Sequence, residues 1–271
     1  MTRLQLYDKI RDKESFLCVG LDTDITKIPS HLLKEDDPIF AFNKQIIDST
    51  VEHAVAYKPN IAFYESLGSK GWESLQKTIE YIPKEIFTIA DAKRADIGNT
   101  SAMYAKAFFE QMNFDSITVS PYMGKDSVEP FMNFDRKWII ILAATSNSGS
   151  FDFQNLLVEE GSESLHERVI RKSAEWGNKN NTMYVVGATR VESLLNIRRI
   201  IPDHFLLIPG VGAQGGDLAS VCKFGMNKQC GLLVNSSRSI IYSDSSKDFA
   251  KSAGKEAKKL RLEMTQYLQK M

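Results

Sequence analysis

The sequence predicts an α/β protein that folds as a single (β/α)8 TIM barrel domain over residues 1–271, and three observations support this prediction. Eight apolar runs recur along the chain, helical patterns fill the intervals between them, and polar residues gather where the runs end. Most of the runs are continuous rather than alternating, as expected of a parallel sheet that is covered on both faces. Strands alternating with helices over about 250 residues favour the barrel, and a doubly wound open sheet is the alternative.

The elements follow in order along the chain. We predict strands at residues 16–21, 54–57, 86–90, 116–119, 138–144, 183–186, 205–208 and 232–234. Residues 1–15 are predicted to form a short helix that closes the amino-terminal end of the barrel. Apolar residues at helical spacing predict intervening helices, with Phe42, Ile46, Ile47 and Val51, then Trp72, Leu75 and Ile79, then Met103, Ala107 and Phe108, then Val191, Leu194, Leu195 and Ile197. Residues 249–268 are predicted to form the last outer helix, and an interaction helix is the alternative.

Composition and charge limit the classes of partner. The chain has 34 Lys plus Arg and 34 Asp plus Glu, so its formal net charge is zero. This balance gives no indication of a nucleic-acid or membrane-surface partner. The charged N-terminus is unlike a secretory signal, and no run approaches the roughly 20 apolar residues that span a bilayer.

The cysteines indicate a reducing compartment. There are three, Cys18, Cys222 and Cys230, and no pair of them has metal-ligand spacing. We interpret all three as reduced thiols of a cytoplasmic protein. Cys18 lies in an apolar run and is interpreted as a small buried hydrophobic residue, with a catalytic thiol as the alternative.

The most informative feature is the set of residues at the ends of the predicted strands. In a barrel all of these ends converge on one face, where active sites lie. Taken singly, Asp22 could cap a helix and Lys58 could extend along the surface. The coincidence of so many polar ends favours a functional site, and the residues concerned are Asp22, Lys58, Asp91, Lys93, Thr145, Ser146, Pro209 and Asn235 to Arg238.

A charged segment follows the third strand. Asp91 and Lys93 are two residues apart, so a continuing strand would point both side chains into the barrel. Asp96 follows three residues later. Burying these charged side chains costs free energy, and a functional role would explain that cost. The alternative is a surface turn with a helix N-cap at Asp96 or Asn99.

Four segments together resemble one family. Residues 91–100 have the pattern DxKxxDIxxT, residues 16–22 read FLCVGLD, residues 209–217 read PGVGAQGGD, and residues 238–240 read RSI. Together, and in the order in which they occur along the chain, they resemble the orotidine 5′-monophosphate decarboxylases. Residues 57–60 (YKPN) and 145–149 (TSNSG) are similar to the longer bacterial subgroup of that family.

The resemblance implies a carboxy-lyase that converts orotidine 5′-monophosphate to uridine 5′-monophosphate and CO2, the last step of de novo pyrimidine nucleotide synthesis. It implies no cofactor and no metal. It also implies a homodimer in which Asp96, Ile97 and Thr100 reach the active site of the other subunit. Departure of CO2 leaves a carbanion on ring carbon six of the pyrimidine. Lys93 is expected to stabilise this carbanion electrostatically and to donate the proton that replaces the carboxylate. Asp91 and Asp96 would flank Lys93, and Lys58 would complete this network of charges.

The same resemblance assigns the substrate contacts. Asp22 and Lys58 would hold the ribose hydroxyls, Ser146 would bind the pyrimidine, and Gln214 would bridge phosphate and base. Phosphate would lie in the loop after Pro209, where glycine lets backbone N–H groups approach an anion, and against Arg238. The loop glycines are Gly210, Gly212, Gly215 and Gly216. A plain glycine-rich turn is the alternative.

Two other functions remain open from the sequence. A relative in the same suprafamily could decarboxylate or cleave a sugar phosphate with a divalent metal. A barrel that senses nucleotide phosphate without catalysis would retain Arg238 and the glycines but would not need the buried charges.

Overall fold

Eight parallel strands close into a barrel in the computed structural model, which describes residues 1–158, 163–188, 191–211 and 216–271. The barrel order is β1-β10-β9-β8-β5-β4-β3-β2, and β1 pairs with both β2 and β10. This closure confirms the predicted (β/α)8 barrel and excludes the open sheet. The strands in chain order are β1 (Leu17–Leu21), β2 (Ala56–Pro59), β3 (Phe87–Arg94), β4 (Ser116–Val119), β5 (Trp138–Ala144), β6 (Leu157–Val158), β7 (Glu163–Ser164), β8 (Thr182–Val186), β9 (Phe205–Pro209) and β10 (Leu232–Ser236).

Helices surround the barrel. They are α1 (Arg3–Lys13), α2 (Pro38–Thr50), α3 (Ile61–Glu65), α4 (Ser69–Tyr81), α5 (Gly98–Lys106), α6 (Lys125–Met132), α7 (Leu165–Ala174), α8 (Val191–Ile200), α9 (Leu218–Gly225), α10 (Arg238–Ile241) and α11 (Phe249–Leu268). Capping residues determine where helices begin. Asp37 caps α2, because its carboxylate accepts a hydrogen bond from the Phe40 N–H and Pro38 occupies the first helical position. Ser164 caps α7 and forms a capping box with Glu167. The predicted helical stripes lie on helices, except that Val51 is the C-cap of α2 and that Ala107 and Phe108 lie in a π-helical segment (Ala107–Gln111) directly after α5. The side chain of Val191 falls outside the described part of the chain.

Helix α1 closes the amino-terminal end of the barrel, as predicted. Leu6 and Ile10 are fully buried beneath it. The Met1 carbonyl accepts a 2.8 Å hydrogen bond from Trp138 Nε1 at the start of β5. Arg3 donates to the Lys179 carbonyl before β8 at 3.0 Å.

An aromatic layer fills the same end from inside. Phe87, Trp138 and Phe205 begin the alternate strands β3, β5 and β9, and their rings meet edge to face with centroids 6.2 and 6.5 Å apart. Rings that contact each other across an intervening strand must point into the barrel. The period of two along β3 then directs Ile89 and Asp91 inward as well, toward the opposite end.

Four of the barrel strands, β2, β3, β9 and β10, extend farther toward that end than the apolar runs predict. The prediction ends the third strand at residue 90, but β3 continues to Arg94, which pairs with Val119 after a register shift. The polar residues are therefore part of the strand itself. Two long segments left unexplained by sequence, 23–40 and 147–165, contain 3-10 helices at Ser30–Lys34 and Ser148–Asp152 and the β6–β7 hairpin. Across the described ranges, no helix is both long and apolar enough to cross a membrane.

Candidate active site

Side chains from five strand ends surround one cavity at the carboxyl end of the barrel. The cavity has a volume of about 150 Å³. Strands β1, β2, β3, β9 and β10 or the residues that follow them supply its walls. The lining residues are Asp22, Lys58, Asp91, Pro209, Gly210, Val211, Asn235, Ser236, Ser237 and Arg238. The structure thus brings together side chains that are as many as 216 positions apart in the printed sequence, from Asp22 to Arg238.

Acidic and basic groups alternate along the cavity floor. Lys58 Nζ lies 2.6 Å from Asp91 Oδ2 and 3.9 Å from Asp22 Oδ1. Lys93 Nζ lies 2.6 Å from the other Asp91 oxygen, Oδ1. Asp91 therefore bridges two ammonium groups, and Lys58 lies between two carboxylates. Asp22 Oδ1 is buried and accepts no hydrogen bond from any described residue.

The alternation determines the protonation states. Burial alone would raise the pKa of Asp91, but the Lys58 and Lys93 ammonium groups outweigh it and hold that pKa well below its ordinary value. Burial would likewise lower the pKa of Lys58, but the Asp91 and Asp22 carboxylates raise it above its ordinary value. At neutral pH Asp91 is therefore a carboxylate and Lys58 is an ammonium.

The backbone at Lys93 is unusual for a residue with a side chain. Its φ is +48°, in the left-handed region that residues other than glycine seldom adopt. The Lys93 N–H donates to Thr118 Oγ1 at 2.9 Å, and that hydroxyl lies 3.2 Å from Asp91 Oδ1. Such a conformation persists only where its surroundings fix it. Here it leaves Lys93 bonded to Asp91 while 51% of its side chain stays exposed.

Asp96 does not join the charged array, which consists of Asp22, Lys58, Asp91 and Lys93, within one chain. Among the described residues, the ion pair of Lys93 is with Asp91, and the Asp96 carboxylate accepts from the neighbouring Ile97 N–H at 2.8 Å. The capping alternative is also wrong, because Ile97 is the N-cap of α5 and Asn99 lies inside the helix. Ile97 and Thr100 are exposed on the same turn.

The phosphate-loop residues are only partly described. Pro209 and Gly210 line the cavity, and Gly210 has a φ of +93°, which favours glycine. Gly212, Gln214 and Gly215 lie outside the described residues. At Gly216 an added Cβ would lie 2.3 Å from the Ala188 Cβ, so a side chain there would displace Ala188, which follows β8. Arg238 is exposed at the first position of α10.

Ser146 lies just after the end of β5. The preceding Thr145 is held by Gln154, which accepts from the Thr145 N–H at 2.8 Å and donates to its hydroxyl at 2.9 Å. An added Cβ at Gly187, just after β8, would lie 2.8 Å from the Ser146 Cβ, so glycine keeps the two chain ends close.

Three contributors to this region were missed by sequence reasoning. Thr118 looked like an ordinary residue of an apolar strand, although its inward parity with Ser116 is a signal that could have found it. Gly20 lies opposite Ser237, whose Oγ would be 1.7 Å from an added Cβ. Tyr242 contacts the chain around Asp22 through its hydroxyl, and no local pattern marks it.

The cysteines do not take part in the charged array. All three are free and buried. Burial raises the pKa of the Cys18 thiol to about 12, even though Lys58 lies close enough to oppose that shift. Cys18 is therefore the small buried residue that its apolar run predicts, and not an activated thiol. In the described part of the chain, no three His, Cys, Asp or Glu side chains are grouped as a metal ion would require.

The protein is a closed (β/α)8 barrel in which lysine and aspartate side chains alternate at the carboxyl end of the strands. This arrangement defines the class of a barrel enzyme whose site acts through charged side chains. The sequence profile of the Orotidine 5'-phosphate decarboxylase / HUMPS family matches residues 15–253. The chain belongs to this family, and its enzymatic class is carboxy-lyase.

Individual proteins show the same relationship. The chain is similar to the orotidine 5'-phosphate decarboxylase of Phocaeicola vulgatus, with 60% identity over 97% of this chain and 98% of the relative. It is equally similar to that of Christiangramia forsetii, with 60% identity over 100% of both chains. Among solved structures, the OMP decarboxylase of Leishmania donovani superposes with a TM-score of 0.81 at 36% identity, covering 97% of this chain and 99% of that one.

Proposed function

We propose that this chain, as one barrel domain over residues 1–271, converts orotidine 5′-monophosphate to uridine 5′-monophosphate and CO2 with Lys93 as the proton donor. The observation that carries the proposal is the 2.6 Å pair between Lys93 Nζ and Asp91 Oδ1 at the mouth of the barrel. The reaction completes de novo synthesis of the pyrimidine nucleotide.

The chemical problem is a localised negative charge. The bond between ring carbon six and the carboxylate breaks, CO2 leaves, and the electron pair remains on the carbon. The Lys93 ammonium meets this charge and then transfers a proton to the same carbon. At a separation of 4 Å and an effective dielectric constant of 20, such a charge pair contributes about 4 kcal/mol.

Asp91 has two roles in this proposal. Its carboxylate holds the Lys93 ammonium in place, and it lies where the substrate carboxylate must pass. Repulsion between the two carboxylates would favour departure of CO2. Lys58 keeps Asp91 ionised, since it is buried on the opposite side of the same carboxylate.

The remaining cavity residues bind the nucleotide. Asp22 Oδ1, which is buried without a hydrogen bond from the described residues, is suited to accept one from a ribose hydroxyl, and Lys58 supports it. Arg238 and the loop that contains Pro209, Gly210, Gly212, Gln214, Gly215 and Gly216 take the phosphate. Ser146 binds the pyrimidine, and binding of the remote phosphate drives closure of the loops over the ring.

The proposed enzyme is a homodimer in which Asp96, Ile97 and Thr100 complete the partner's site. The support is the exposure of large apolar side chains in this part of the chain: Ile97 is 55% exposed, Met103 61% and Tyr122 86%. Exposed apolar side chains near an active site favour a protein interface. We place the protein in the cytoplasm on the basis of its free cysteines.

The test is a spectroscopic turnover assay with pure protein, orotidine 5′-monophosphate and excess chelator. We expect full activity, which would support cofactor-independent catalysis. Activity that chelator abolishes would indicate a metal-dependent reaction instead. Tight binding of uridine 5′-monophosphate without release of CO2 would indicate a nucleotide sensor.

A further inference from the structure

The chain around Asp22 is held by a side chain from the far end of the sequence. The Tyr242 hydroxyl donates a 2.9 Å hydrogen bond to the Asp22 carbonyl and accepts a 2.6 Å bond from the Asp24 N–H. One oxygen atom therefore binds the backbone of the two residues on either side of Thr23. Burial raises the pKa of Tyr242 to about 12, so the hydroxyl keeps its proton and can donate at neutral pH.

The same residue is tied to the Arg238 turn. The Tyr242 N–H donates to the Arg238 carbonyl at 3.1 Å, which closes the single turn of α10. The Tyr242 ring stacks on Phe42 with centroids 5.9 Å apart, and Lys27 Nζ lies 5.8 Å from the ring centroid. The ring is thus fixed by packing that does not depend on the hydroxyl.

A buried network restrains the other side of Asp22. The Tyr64 hydroxyl donates to the Leu21 carbonyl at 3.2 Å. Asn43 donates to the Tyr64 hydroxyl at 2.9 Å and accepts from Thr23 Oγ1. These side chains are almost completely buried. The backbone of residues 21–24 is therefore held from the outer helices on one side and by Tyr242 on the other, while the Asp22 carboxylate faces the cavity.

We propose that Tyr242 is a positioning residue that fixes the Asp22 carboxylate for the ribose and couples it to the Arg238 turn that binds phosphate. This inference rests on the proposed function, which assigns ribose to Asp22 and phosphate to Arg238. Tyr242 itself does not line the cavity, so it acts through these residues and makes no contact with substrate.

The experiment combines Tyr242→Phe with Asp22→Asn in a double-mutant cycle. Tyr184→Phe is the matched control, because it removes another buried tyrosine hydroxyl, 3.1 Å from Ser173 Oγ, away from the cavity. We expect Tyr242→Phe to lower kcat/KM for orotidine 5′-monophosphate roughly tenfold, since two hydrogen bonds of ordinary strength are lost. Tyr184→Phe should show a similar loss of Tm with unchanged kcat/KM.

The cycle separates positioning from general stability. In the Asp22→Asn background, Tyr242→Phe should cause less than about a twofold further loss of kcat/KM, since both changes act through one carboxylate. The inference is overturned by wild-type kcat/KM in Tyr242→Phe, or by an equal loss in both backgrounds. If the wild-type protein does not decarboxylate the nucleotide, the proposed function fails, and the same cycle is then measured on the Kd of uridine 5′-monophosphate. Additive losses of affinity, or no binding, would overturn the positioning role there.

Discussion

Replacing Lys93 by alanine tests the chemical step directly. The variant removes the ammonium group that lies 2.6 Å from Asp91 Oδ1. A charge contribution of about 4 kcal/mol to the transition state corresponds to about a thousandfold in rate. Loss of the proton donor acts on the same step, so we expect kcat to fall by at least this factor.

Folding and nucleotide binding should survive the change. Asp91 keeps its 2.6 Å pair with Lys58, and the Lys93 side chain is 51% exposed, so its removal leaves no buried charge without a partner. We therefore expect Kd for uridine 5′-monophosphate to change less than about tenfold. Turnover is followed by the ultraviolet absorbance of the substrate, affinity by calorimetry, and folding by Tm.

A matched control is available on the surface. Lys125 pairs with Glu129 at 3.2 Å on the outer face of α6, and its side chain is 54% exposed. Lys125→Ala should retain wild-type kcat. A Lys93→Ala protein that folds, binds the nucleotide and turns over at more than a tenth of the wild-type rate would refute the assignment of Lys93.

Three further predictions concern the charged array and the dimer. Lys58→Met should lower the free energy of unfolding by about 3–5 kcal/mol, because Asp91 and Asp22 lose their buried counterion; an unchanged urea midpoint would contradict this. The depressed pKa of Asp91 contributes stability that is present above its unfolded pKa of about 3.9 and is lost as pH falls through the folded pKa. The stability difference between wild type and Asp91→Asn should therefore be largest near neutral pH and shrink below about pH 4, and a constant difference from pH 7 to pH 3 would count against the array. Mixing Lys93→Ala with Asp96→Ala should restore about a quarter of wild-type activity through hybrid dimers, whereas no recovery despite demonstrated subunit exchange would place Asp96 outside the partner's site.

The positions of the strands and of the polar residues at their ends could be predicted from the sequence, because one physical rule determines both. Each buried parallel strand is a continuous apolar run, and each run stops where the chain reaches the solvated end of the barrel. Asp22, Lys58 and Asp91 were found in this way, and the structure places them within one cavity. The strand period predicts the inward direction of Asp91, but it does not predict the register shift or the left-handed backbone at Lys93.

Other features depend on contacts that no local pattern encodes. Thr118 and Tyr242 join the site through hydrogen bonds to residues 27 and 220 positions away. Met103 is predicted on the same helical stripe as Phe108, yet it is 61% exposed while Phe108 is buried. Periodicity identifies the helix correctly but cannot say whether a given apolar side chain faces the barrel or a second subunit. For the same reason, periodicity does not say whether the Asp96 carboxylate acts in its own subunit or in a second one.

The aromatic layer at the start of β3, β5 and β9 makes the described part of the barrel a cup that is closed at its amino-terminal end. Helix α1 and the Trp138–Met1 hydrogen bond seal the cup from outside. In the proposed reaction, CO2 and the nucleotide product would therefore leave by the carboxyl end, through which the substrate enters. If the proposed loops close over bound phosphate, they obstruct that route, so the phosphate must be released before the next turnover.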